Sequence, residues 1–161
     1  MPETKYTVDE NSKTVVVERE FAAPKDRVWQ AWTDSQLLEK WWAPKPWTAV
    51  TKTFEFKEGG RWHYYMSGPD GEKSWALVEY EAIQPTDRFS AIDAFADEMG
   101  NKNSSMPITR WQIEFTESNG MTKVRVTLFF QDLESLKKIV EMGFKEGFAM
   151  AHQNLDELLA G

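Results

Sequence analysis

The apolar positions of this chain follow two rhythms. From Asp132 to Leu159 they recur on a period of 3.6, so that Leu133, Leu136, Val140, Phe144, Ala151, Leu155 and Leu158 share one face. Glu134, Lys137, Lys138, Glu141, Lys145, Glu146 and Glu157 lie on the other side or its margins. The pattern predicts one amphipathic helix, about 42 Å long at 1.5 Å per residue. Gly143 and Gly147 fall on the apolar face, where bulky side chains are expected, and Asn154 falls there too. A mid-helix glycine costs about 1 kcal/mol relative to alanine. The pair therefore points to close approach of a bulky strand residue, to space left for a ligand, or to a kink.

Ahead of that helix the rhythm is mostly two. Met1 to Asn11 is polar and reads as a frayed or extended lead-in. Thr14 to Phe21 reads as a strand. Pro24 then suits a first helical turn, and Val28, Trp29, Ala31 and Trp32 make a short helix. Thr33 or Asp34 can cap a second short helix, Ser35 to Trp41. Strands follow at Thr51 to Lys57, Arg61 to Ser67, Ser74 to Gln84 and Arg88 to Phe95. After a polar loop from Ala96 to Met106, Ile108 to Glu117 and Thr122 to Gln131 form a hairpin across Ser118, Asn119 and Gly120. The order predicts an α+β domain, with a curved seven-stranded antiparallel sheet around the long helix. The two short helices sit between strands 1 and 2. No strand–helix–strand crossover appears, which argues against a dinucleotide-binding or barrel enzyme.

Composition narrows the function classes. The 161 residues suit a single domain, 1–161, with nothing marking an internal boundary. A net charge of −7 and no clustered basic tract argue against a nucleic-acid binder. There is no cysteine, which excludes disulfides and thiolate chemistry. No secretory signal or apolar run long enough to insert in a membrane is visible, so a cytoplasmic protein is expected. Eight Trp and ten Phe make the chain rich in large rings, which build either a core or a lined pocket.

Several stretches in order carry a family resemblance. They include Arg19-Glu20-Phe21-Ala22-Ala23-Pro24, Val28-Trp29-Gln30-Ala31-Trp32-Thr33-Asp34 and Leu38-Glu39-Lys40-Trp41-Trp42-Ala43-Pro44. Lys57-Glu58-Gly59-Gly60-Arg61-Trp62, Gly68-Pro69-Asp70-Gly71 and Ile83-Gln84-Pro85-Thr86-Asp87-Arg88-Phe89 continue it. Trp111-Gln112-Ile113-Glu114-Phe115, Gly143-Phe144-Lys145-Glu146-Gly147-Phe148 and Asn154-Leu155-Asp156-Glu157-Leu158 close it. Over roughly residues 13–159 the chain resembles stand-alone bacterial relatives of the carboxyl-terminal domain of activators of the Hsp90 ATPase, in the START-like or Bet v 1-like superfamily. The resemblance implies the helix-grip fold and an interior cavity that in many relatives takes an apolar or aromatic small molecule. It does not imply chaperone regulation, because the chain leaves no room for the separate amino-terminal chaperone-binding module.

Candidate chemistry is sparse. His63 and His152 are the only histidines, 89 positions apart by their numbers and without ligand spacing, so no metal or other cofactor is expected. No nucleophile motif or phosphate loop is present, and no catalytic residue is assigned. Residues that can line a cavity are Trp32, Trp41, Trp42, Trp75 and Trp111 among the indoles, with Tyr65 and His63. Glu79 and Asp93 are the candidate carboxylates on strands. From the last helix come Gly143, Phe144, Gly147, Ala151 and Asn154. Three functions compete. The first is a binding protein for a hydrophobic or aromatic small molecule. The second is a stress or protein-interaction domain with a filled core. The third is an acid–base enzyme of the cyclase, isomerase or hydrolase type, using a cavity carboxylate or His63. A homodimer through a sheet edge or exposed rings is left open.

Overall fold

The computed structural model describes residues 3–161. Its strands are β1 (Lys5–Asp9), β2 (Thr14–Phe21), β3 (Thr48–Phe54), β4 (Arg61–Ser67), β5 (Lys73–Gln84), β6 (Arg88–Phe95), β7 (Thr109–Ser118) and β8 (Met121–Phe130). The helices are α1 (Lys25–Thr33), α2 (Ser35–Trp41), α3 (Leu133–Glu141) and α4 (Phe144–Ala160). All neighbouring strands are antiparallel, in the order β1-β2-β8-β7-β6-β5-β4-β3. The curved, open sheet packs its concave face against α4, with α1 and α2 closing one end: a helix-grip arrangement.

Among the described residues the sheet has eight strands, where the sequence predicts seven. The additional one, β1, lies in the segment expected to be a frayed or extended lead-in. Its side chains lack a clean apolar alternation, but pairing with β2 needs only backbone groups, as at an edge. Tyr6 gives β1 its grip: its hydroxyl donates to the Lys145 carbonyl at 2.6 Å and its ring meets Phe144 edge-on. The strand expected at Thr51 to Lys57 starts and ends earlier, as β3, and carries a register shift between Thr51 and Thr53. The last hairpin has a two-residue loop instead of three, because Ser118 and Met121 pair directly. Asn119 and Gly120, with φ of 54° and 77°, supply the turn.

The single long helix is two helices. Asp132 caps α3 by accepting from the Ser135 N–H at 2.7 Å. The helix ends when the Met142 and Gly143 N–H groups bond back to the Lys138 and Val140 carbonyls. Gly143 has φ 91° and ψ 23°, a left-handed conformation that ends α3 and opens α4. Of the readings open for this glycine, a break in the helix is the one seen. The break also resets the helical phase. On α4 the buried positions are Phe148, Ala151, His152, Asn154, Leu155 and Leu159. His152 is among them, fully enclosed.

Candidate functional site

Between the concave sheet and the α3–α4 junction lies a cavity of about 270 Å³. Its floor comes from four neighbouring strands, with Leu128 added from the next one, β8. β4 gives Tyr64 and Met66, β5 gives Ser74 and Ala76, β6 gives Asp93 to Phe95, and β7 gives Thr109 and Trp111. The alternation of each strand selects these residues: Trp62, Tyr64 and Met66 point inward, whereas His63 and Tyr65 point away, against Trp75 of the next strand. Pairing β6 with β7 puts Asp93 opposite Thr109, and Ala91 opposite Trp111. The roof is Ile139, Met142, Phe144, Gly147 and Phe148, and the end wall is Trp42 with Pro44. Ser74 and Met142 are exposed as well as lining, which sets the mouth between the start of β5 and the helix junction.

The end wall is positioned by residues outside the cavity. Asn154 donates from Nδ2 to the carbonyls of Trp41 (3.4 Å) and Ala43 (3.1 Å). This buried amide ties the chain after α2 to α4, because carbonyls stripped of water require a donor. Trp41 is fully buried and donates from Nε1 to the Ala31 carbonyl at 2.8 Å. The wall residue Trp42 donates from Nε1 to the Tyr64 hydroxyl at 2.8 Å. The Tyr64 ring stacks on Trp62, centroids 3.9 Å apart and 18° from parallel.

Past Trp42 the interior is closed by rings. Trp32 meets Trp41, Trp42, Phe89, Phe115 and Phe148, each in an edge-on or steeply tilted arrangement. Only about 30 Å³ stays open there, and Trp42, Asp93 and Trp111 border both spaces.

Among the described residues Asp93 is the one ionisable carboxyl on the cavity wall, and no Lys, Arg or His accompanies it. Among the described residues no donor of the chain bonds to its side chain. Burial pushes its carboxyl up to about 7 from an ordinary 3.8. Tyr64 is held well above its usual value, first by burial and then by the charge of Asp93. His152 lies deeper along α4, in contact with Phe21 and Phe148, with Nδ1 at 2.9 Å from the Thr4 hydroxyl. Burial, with Arg19 second, lowers it to about 3, so its imidazole is neutral.

Of the residues singled out from sequence, the structure brings Trp42, Asp93, Trp111, Gly143, Phe144 and Gly147 together around the cavity. Trp32 and Trp41 lie in the closed aromatic end, and Ala151 and Asn154 sit farther along α4, out of the lining. His63, Tyr65, Trp75 and Glu79 belong to the opposite face of the sheet. There the His63 Nε2 sits 2.9 Å from the Asp97 carbonyl, Tyr65 and Trp75 pack together, and Glu79 pairs with Lys102. Sequence reasoning missed Tyr64, Met66, Thr109 and Phe148. Tyr64 and Met66 share the Trp62 face, so the alternation already carried that signal. Phe148 was hidden by the phase reset at Gly143. Among the described residues no three His, Asp or Glu side chains group as a metal centre, and no helix is long and apolar enough to cross a membrane.

Comparison with known proteins places this architecture. The model of the family described as Activator of Hsp90 ATPase homolog 1-like protein matches residues 22–160. The crystal structure of protein Ms6760 from Mycobacterium smegmatis is similar at 36% identity and a TM-score of 0.90, covering 98% of this chain and 97% of that one. A solution structure from Arthrobacter aurescens is similar at 32% identity and a TM-score of 0.91, covering 97% and 91%. One from Staphylococcus epidermidis is similar at 27% identity and 0.84, covering 96% and 93%. No curated protein matches the chain in sequence.

Proposed function

The chain belongs to the family of Activator of Hsp90 ATPase homolog 1-like proteins, and on that premise we propose that it is a binding protein that takes an apolar or aromatic small molecule between sheet and helix. The observation that carries this reading is the 270 Å³ cavity, walled by Trp42, Trp111, Phe144 and Phe148 and open at Ser74 and Met142. Ligand sites are concave and mostly apolar, with a few placed polar groups. A domain that served only as a packed scaffold would gain stability by closing such a space, since voids forfeit contacts on one side. Hydrolytic or isomerising chemistry has less support. Asp93 stands alone, without the second group that an acid–base pair requires.

The test is direct. Protein purified from cells is examined by native mass spectrometry for a retained small molecule, then titrated with 1-methylnaphthalene. The expected result is saturable one-to-one binding, weakened at least about tenfold in Gly147→Phe, whose ring would occupy the cavity roof. No retained mass together with no saturable binding, or binding unchanged in a folded Gly147→Phe protein, would remove the proposal.

A further inference from the structure

Resting on that reading, we infer that the molecule held in the cavity is a cation: an apolar or aromatic body carrying a protonated amine, with Asp93 as its counter-ion. The cavity wall is apolar almost throughout, and its polar groups are few: Asp93, the hydroxyls of Tyr64 and Thr109, and Ser74 at the mouth. Asp93 is the only charge among them. Its carboxyl accepts nothing from the chain among the described residues, although it stands on the central part of the sheet between Val78 and Thr109. An acceptor kept without a donor in an apolar enclosure is costly unless something brings the donor. The donors beside it are neutral: the Trp111 indole N–H, buried without a partner among the described residues, and the hydroxyls of Tyr64 and Thr109, while the Trp42 N–H is engaged with Tyr64. What is missing is therefore a countercharge, and a positively charged donor satisfies the carboxylate most fully.

The surroundings favour the same chemistry. Trp42 and Trp111 flank the position, centroids 5.9 Å apart and 45° from parallel, and indole faces attract cations. The volume lies below the usual range of about 300–1,000 Å³ for small-molecule sites, which limits the body to about the size of one or two fused rings. Asp93 also borders the small void beyond Trp42, so it sits at the inner limit of the cavity, with its charge facing an incoming ligand.

The preference is expected to depend on pH. The groups facing Asp93 are Tyr64 from β4, Ala76 and Val78 from β5, Thr109 and Trp111 from β7, and Trp42 from the end wall. Tyr64 is the only other titratable group among them, and it stays neutral. Asp93 itself, raised to about 7, is charged at pH 8 and neutral at pH 5.

The experiment compares three probes of one size by calorimetry: 1-naphthylmethylamine, 1-methylnaphthalene and 1-acetonaphthone. Each is titrated into the wild-type protein and Asp93→Asn, near pH 8 and near pH 5. The expected result is an amine bound about tenfold or more tighter than the hydrocarbon by the wild-type protein near pH 8. That advantage disappears in Asp93→Asn and near pH 5, while hydrocarbon binding persists and shows that the cavity is intact. Equal binding of amine and hydrocarbon, or an amine advantage retained in Asp93→Asn, would overturn the inference and leave the binding reading standing. A ketone held tighter than the amine near pH 8 would overturn it too, by showing Asp93 as a neutral donor. Failure of all three probes would remove the binding reading itself, and this inference with it.

Discussion

The two ends of the space between sheet and helix are built from the same materials and finished differently. At the end closed by α1 and α2, Trp29 and Trp32 each meet Phe89 and Phe115 edge to face, Trp32 meets Trp41 likewise, and only about 30 Å³ stays open. At the other end, Trp42, Trp111, Phe144 and Phe148 also meet at 5.4–6.2 Å, yet they surround about 270 Å³. The rings are of the same kinds in both, indoles and phenyls. What differs is the helix above them. The carboxyl-terminal half of α4 presents Ala151, Leu155 and Leu159 to the core, whereas its start presents Gly147 just after the break at Gly143. An aromatic-rich interior is thus neither a core nor a pocket by composition alone; the backbone that covers it decides.

The comparison breaks most sharply at Trp41. It is fully buried and its indole N–H holds the Ala31 carbonyl. Trp41→Ala is expected to cost about 4 kcal/mol, the range for emptying a packed aromatic site. Trp111→Ala is expected to cost visibly less, because its ring already faces open space on one side. Urea unfolding of the two variants checks the difference. Equal losses would mean that the cavity end is packed as tightly as the closed end.

Acid separates the two regions by sign. His152 is held neutral by burial, at about 3 against 6.5 in the unfolded chain. Its contribution to stability is present above pH 6.5 and is lost as pH falls through the interval toward 3, because the unfolded state takes up the proton first. The wild-type protein should lose about 3 kcal/mol from this source between pH 7 and pH 4. His152→Leu should lack that component in chemical denaturation at the two pH values.

Asp93 runs the other way. Its folded value of about 7 lies above 3.8, so the folded state holds the proton more tightly. Stability from this group is full below about pH 4 and is lost as pH rises through 7. Asp93→Asn, which keeps the shape without the charge, should therefore be more stable than wild type by about 2 kcal/mol at pH 8, discounted for water in the cavity, and equal to it at pH 4. A gain of the same size at both pH values would show that packing, not charge, is responsible.

Much of this molecule was legible in its residues, and what was not has a physical reason. Strand alternation and the Pro24 and Asp34 helix starts follow from local chemistry, so the boundaries of β2, β4, β6 and α2 match the pattern. The edge strand β1 did not announce itself, since backbone pairing leaves no apolar period to read. Asp93 stood out as one of two candidate carboxylates on strands, with Glu79. Trp41 and Trp42, both cavity candidates from the sequence, part into packing and cavity wall, because adjacent residues at a helix end diverge and the Asn154 tether fixes how. Glu79 and His63 looked equivalent to Asp93 on their strands, and the direction of sheet curvature, a property of the whole sheet, put them on the other face.

The smallest effect sits at the two glycines, and it tests why the cavity end differs at all. Gly143 has room for a methyl group, with its nearest neighbour the Glu146 carboxylate at 3.9 Å, so its requirement is the left-handed backbone. Gly147 has an ordinary helical backbone. A Cβ there would meet only Pro44 Cγ at 3.9 Å, an ordinary contact and not the bulky strand residue that its place in the sequence suggested. Gly143→Ala should therefore cost about 1 kcal/mol, because a side chain is strained at that φ. Gly147→Ala should gain up to about 1 kcal/mol from helix propensity. Thermal unfolding of the two variants should move in opposite directions. A loss at Gly147 would mean that the start of α4 is held by close packing after all, and that its small side chain fits a neighbour instead of leaving space for a ligand.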